Sequence, residues 1–125
     1  MSPALKVLIV EDDEALRAVY EQLLTAEGHA VDIASEGREA LAIMRPDTDL
    51  VVTDLNMPGM DGNAFINALR RDPRFGTLPV LVITAHPGHL PEFLEGPWTS
   101  VIHKPFRIEL FTRFVETVAT RAPVN

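Results

Sequence analysis

Short apolar runs separated by stretches of helical spacing set the strongest limit on how this chain folds. The runs lie at residues 5–10, 30–34, 50–53, 79–83 and 99–103, and Val and Ile recur through them. Each is strand length and reads as buried. Between them, 14–27 carries Leu16, Val19, Tyr20, Leu23 and Leu24 at helical spacing and closes at Gly28. Residues 36–45 form a second helical pattern, with Ser35 as its cap, Ala40, Leu41 and Met44 on one face, and Pro46 beyond its end. A third, 63–71, uses Phe65, Ile66 and Leu69. The last, 107–120, places Ile108, Phe111, Val115 and Val118 in register, with Leu110 and Phe114 beside them.

Strands that alternate with helices require crossover connections, so the sheet is parallel and covered on both faces. Right-handed crossovers reduce the choices to a doubly wound α/β fold. The exception to the pattern lies between the fourth and fifth strands, where Pro87, Pro91 and Pro97 leave room for about one helical turn, at 91–95, stopped by Gly96. Five helices are therefore expected, the fourth short or irregular.

The length of 125 residues suits one domain over 1–125. There is no cysteine, which excludes disulfides and thiolate metal sites. A formal charge of −7 argues against nucleic acid and against an anionic membrane surface as partners. No apolar stretch reaches membrane-spanning length, and the start MSPALKVLIVEDD lacks the pattern of a signal peptide. The expected location is the cytoplasm.

In doubly wound sheets ligands bind beyond the carboxyl ends of the strands. Those ends carry Glu11-Asp12-Asp13, then Asp54, then Thr84, then His103-Lys104-Pro105. Glu11, Asp12 and Asp54 brought together resist joint ionisation unless positive charge joins them. Hard oxygen donors favour Mg2+, Lys104 adds an ammonium and Thr84 a hydroxyl. That combination suits phosphoryl transfer, with an Asp as nucleophile.

The segments VLIVEDD, VVTDLNMPGMDG, VLVITA and HKPF, in that order, resemble the markers of response-regulator receiver domains over nearly the whole chain, from about Leu5 to the last helix. The resemblance implies a flavodoxin-like sheet of order 2-1-3-4-5. It implies two-component signalling, with Asp54 as the phosphoacceptor for a histidine kinase or histidine phosphotransfer protein and a downstream protein target. It implies Mg2+ held by Asp12 and Asp54 directly, by Glu11 through water and by the main-chain carbonyl of Asn56. Thr84 and Lys104 would grip the phosphoryl oxygens, Lys104-Pro105 would be cis, and Ala85 would leave access to Asp54. Asn56 and His86 lie where relatives tune the lifetime of the phosphoryl group. No enzyme activity is implied beyond self-phosphorylation from phosphodonors and self-dephosphorylation.

The chain departs from the family at Val101, where an aromatic is usual, and in the proline-rich stretch after Thr84. Valine has one χ angle and little reach, so the output face is expected to be non-standard, with Trp98 a substitute aromatic. The alternative is an interaction module that keeps the acidic site and signals without phosphate. Blander readings stand beside these. Glu11-Asp12-Asp13 suits a helix N-terminus, Asp54 a loop-opening turn and Lys104 a solvated surface. His86 and His89 lack a third ligand for zinc, Met57 and Met60 suit loop packing, Phe106, Phe111 and Phe114 suit the core, and His29 and His103 suit structural roles. A phosphatase with an aspartyl nucleophile would need a second Asp where Asn56 stands. A nucleotide binder would need a phosphate-binding turn where the three acids stand.

Overall fold

Val7, Leu8, Ile9 and Val10 are all buried, the mark of a strand covered on both faces. They belong to β1 (Lys6–Val10), the centre of a computed structural model that describes residues 3–55, 62–85 and 98–121. After it come α1 (Glu14–Ala26), β2 (Ala30–Ala34), α2 (Gly37–Ile43), β3 (Leu50–Thr53), α3 (Gly62–Arg71), β4 (Val80–Thr84), β5 (Thr99–His103) and α4 (Ile108–Arg121). The strands form one parallel sheet in the order β2-β1-β3-β4-β5, as expected. The expected short helix at 91–95 lies outside the described residues. Among the described residues no helix is long and apolar enough to cross a membrane.

Strand alternation divides the interior into two cores. Leu8, Val10, Val51, Val80 and Val82 face Ala40 of α2 and Phe65, Ile66 and Leu69 of α3. Val7, Ile9, Leu50, Val52, Leu81, Ile83 and Ile102 face Tyr20 and Leu24 of α1 and Phe111, Val115, Val118 and Ala119 of α4. Each large apolar side chain fully buried in these layers contributes about 1.5–3 kcal/mol.

The helix ends show why the elements stop where they do. Asp13 caps α1, its carboxylate accepting from the Leu16 N–H at 3.1 Å. The helix closes at Gly28, which has φ +91°. There the Gly28 N–H bonds the Thr25 carbonyl and the His29 N–H bonds the Leu24 carbonyl. His29 is structural, as expected: its Nδ1 accepts from the Leu5 N–H at 2.9 Å. His103 is exposed at the end of β5.

Several expectations need correction. Glu36, not Ser35, caps α2, because the helix begins only at Gly37. The extended Glu36 turns its carboxylate onto the N–H groups of Arg38 and Glu39, while Ser35 bonds Glu39 instead. The helix also ends at Ile43 rather than 45, with Met44 already extended. The apolar spacing puts Val19 and Ile108 in the buried stripes, with Leu110 beside the second, and all three are exposed. The stripe of α4 that meets the sheet starts one turn in, at Phe111. Val19 and Leu110 each precede a buried residue and sit about 100° around the helix from it. Phe106 and Phe114 pack at the rim of the second core.

A Cβ at position 28 would meet no atom within 4 Å, so only the backbone opposes a side chain there. Gly28→Ala should therefore cost about 1 kcal/mol. In urea unfolding the midpoint should fall while the slope stays unchanged.

Candidate functional site

Three of the predicted residues meet at the carboxyl edge of the sheet. Glu11 follows β1, Asp54 follows β3 and Lys104 follows β5. Alternation puts each on the α1–α4 side, since Ile9, Val52 and Ile102, two residues earlier, belong to that core. Lys104 Nζ lies 2.8 Å from Asp54 Oδ2 and 3.5 Å from Glu11 Oε1. Glu11 is 1% exposed and Asp54 8%. The ammonium thus bridges two buried carboxylates.

The backbone holds these groups in place. The Glu11 N–H bonds the Ala34 carbonyl, and the Asp54 N–H bonds the Val10 carbonyl at 3.2 Å. The Lys104 N–H bonds the Thr84 carbonyl at 2.8 Å, continuing the β4–β5 ladder. Thr84 is wholly buried at the end of β4, and Ala85 beside it is exposed. The Lys104–Pro105 peptide is cis, as expected. Asp12 is exposed at the rim. Asn56, His86, His89, Met57 and Met60 lie outside the described residues.

Burial pushes the Glu11 carboxyl up from 4.5 to about 7. The Asp13 N–H and the Lys104 ammonium pull it down, and Asp54 and Asp12 push it up further. Burial works against the Lys104 ammonium, but the hydrogen bond to Asp54 and the charges of Glu11 and Asp54 outweigh that and raise it. Among the described residues two buried carboxylates share the Lys104 ammonium, with Asp12 beside Glu11, and all their donors are hard oxygens. That donor set fits a divalent cation. Among the described residues no group of three or more His, Cys, Asp or Glu side chains forms a ready-made cage. Mg2+ is commonly held by only one or two carboxylates, with water and phosphate completing the shell.

Two arginines that the sequence did not single out brace the domain, Arg17 at the site and Arg70 at the opposite edge of the sheet. Arg17 Nη1 donates to the Glu11 carbonyl at 3.1 Å. Arg70 donates to the carbonyls of Phe75, Leu78 and Trp98 and to the Thr99 hydroxyl, tying the end of α3 to the start of β5. Arginine's planar fork suits such multiple acceptors, but no spacing in the chain marks it. Val101 is half-buried against the α2–α3 core, and Trp98 is exposed.

Residues 7–116 match the response regulator receiver domain family. The chain belongs to that family. This receiver domain is 37% identical over 123 residues to the transcriptional regulatory protein TcrA of Mycobacterium tuberculosis, covering 95% of the chain and 47% of TcrA. It is 32% identical over 121 residues to the chemotaxis protein CheY of Pseudomonas aeruginosa, covering 94% of the chain and 98% of CheY. The non-phosphorylated HemR receiver domain from Leptospira biflexa superposes with a TM-score of 0.84 at 30% identity, covering 97% of this chain and 98% of that one. The chain spans less than half the length of the first curated relatives it matches, and nearly all of CheY. Receiver domains of this family are signalling modules of two-component systems rather than enzymes in the ordinary sense.

Removing the bridging ammonium would leave two buried carboxylates facing each other. Lys104→Met, unfolded in urea with chelator present, should lose roughly 3 kcal/mol. Adding Glu11→Gln to that variant should restore part of the loss, because it removes one of the two stranded charges.

Proposed function

We propose that this receiver domain accepts a phosphoryl group on Asp54 from a phosphohistidine of a histidine kinase or histidine phosphotransfer protein. One observation carries the reading: a buried carboxylate with an ammonium 2.8 Å away, at the sheet edge where ligands bind in this fold.

The Asp54 carboxylate is the nucleophile. One of its oxygens forms a bond to phosphorus while the bond from phosphorus to the imidazole nitrogen breaks, and the nitrogen keeps the electron pair. Lys104 stabilises the phosphoryl oxygens as charge shifts onto them. Asp12 and Asp54, with Glu11 through water and the main-chain carbonyl of Asn56, would hold Mg2+. When bound, that ion supplies further charge neutralisation at the phosphoryl oxygens. Ala85 leaves the approach open. Water later cleaves the acyl phosphate, with the side chains of Asn56 and His86 setting its lifetime.

The added phosphate carries nearly two negative charges. The Thr84 hydroxyl turns to it, and the segment that follows Thr84 moves with it, the kind of local charge event that biases a two-state element. Val101 packs where relatives carry an aromatic, so the output does not depend on an aromatic swing at that position. The partners are the phosphodonor and a downstream protein, not nucleic acid or membrane, and the setting is the cytoplasm. The chain acts as a single domain over 1–125. A second reading, a module that signals without phosphate, draws on the same Val101.

Acetyl phosphate with magnesium should add the mass of one phosphoryl group to the intact protein. Asp54→Ala, or chelation of the metal, should abolish the gain. No gain in the wild-type chain would favour the second reading.

A further inference from the structure

Tyr20 is the single tyrosine of the chain and is 2% exposed. Among the described residues its hydroxyl is buried without a hydrogen-bond partner. Buried phenols normally find one, and an unpaired donor bears its desolvation cost uncompensated. The ring lies 5.6 Å from Phe111 and 6.0 Å from Phe106, centroid to centroid. Phe106 comes two residues after Lys104, so the ring packs against the turn that carries the ammonium.

The hydroxyl belongs to the side of the sheet that holds the site. Tyr20 shares a core with Ile9, Val52 and Ile102, and the next residues on that face of their strands are Glu11, Asp54 and Lys104. Burial raises the phenol's pKa, and the charges of Glu11, Asp54 and Asp13 raise it further, so it stays a protonated donor.

In the resting geometry Lys104 serves two carboxylates, Asp54 at 2.8 Å and Glu11 at 3.5 Å. A phosphoryl group on Asp54 draws that ammonium away from Glu11. Glu11, 1% exposed, then keeps the Asp13 N–H on Oε2 at 3.3 Å but loses the ammonium from Oε1. We propose that Tyr20 is a positioning residue whose hydroxyl donates to the Glu11 carboxylate once Lys104 turns to the phosphoryl group, and so favours the phosphorylated state. This rests on the phosphoacceptor role of Asp54. It accounts for a hydroxyl that is unpaired at rest and belongs to the same face of the sheet as the buried carboxylate whose ammonium contact is due to be lost.

The test uses the full chain labelled with 13C at the tyrosine Cζ, which gives one signal, with intact mass measured on the same sample. With acetyl phosphate and magnesium the Cζ resonance should shift as phosphorylated protein accumulates, and it should not shift in Asp54→Ala. Tyr20→Phe keeps the ring and removes only the hydroxyl. Its resting thermal midpoint should equal or exceed that of the wild type. Its dissociation constant for beryllofluoride with magnesium, an inert phosphoryl mimic, should rise about tenfold, as expected for one hydrogen bond to a charged group. A phosphorylated wild type with an unmoved Cζ signal overturns the inference and leaves the phosphoacceptor reading intact. So does a Tyr20→Phe variant that binds the mimic like wild type, or one whose resting midpoint falls. A wild type with no gain in mass overturns both.

Discussion

One ammonium held between two buried carboxylates is the contact on which the site depends, and parallel pairing of strands is what makes it. Lys104 and Glu11 are 93 positions apart, and Lys104 and Asp54 are 50 apart. Nothing local brings them together. The β1–β3, β3–β4 and β4–β5 registers do, by ending three strands at one edge. The side-chain period of two then turns all three groups to the α1–α4 side. A slip of one residue in any strand would reverse its side chains, sending a charge into the opposite core and stranding the others. The fold's register and the site's electrostatics therefore hold each other in place.

That arrangement is short of positive charge. One ammonium offsets one carboxylate fully, and burial leaves Glu11 well above the ordinary carboxylate range. A structure selected only for stability would replace such a group with an apolar side chain. On the proposed function, the deficit is readiness for an incoming cation and a phosphoryl group that between them would reset the balance. The acids before α1 divide this work by position. Glu11 is buried beside Lys104, Asp12 is exposed at the rim, and Asp13 caps the helix. The bland reading of the triplet holds for Asp13 alone.

Much of this was legible before any coordinates. Short apolar runs give strands, alternation with helices gives parallel order, and parallel order gives converging carboxyl ends. Glu11, Asp54 and Lys104 could thus be named from the sequence. What the sequence hid depends on rotation about an axis rather than on residue type. Val19, Ile108 and Leu110 are as apolar as their buried neighbours, and only the position of the sheet decides which side of a helix is covered. Tyr20 was read as one more apolar position on α1. Its hydroxyl becomes notable only once Glu11 is known to lie on the same face. Arg70 was invisible because its acceptors are backbone carbonyls, which every residue has.

The two cores also separate the tasks of the domain. Val80 and Val82 face α2 and α3, so Thr84 continues on that side, where Val101 packs. Glu11, Lys104, Tyr20, Phe106 and Phe111 gather on the other. Val101, where the family resemblance implies an aromatic, lies on the α2–α3 face. Here that face is aliphatic beside the threonine, and the aromatic stack lies on the α1–α4 face, against the turn bearing the lysine. A phosphoryl group on Asp54 would pull on both sides at once, through Thr84 on one and Lys104 on the other. On the proposed function, the interlocked rings would pass a displacement of the lysine turn on to α1 and α4. An output carried that way, through α1 and α4, would need no aromatic at position 101.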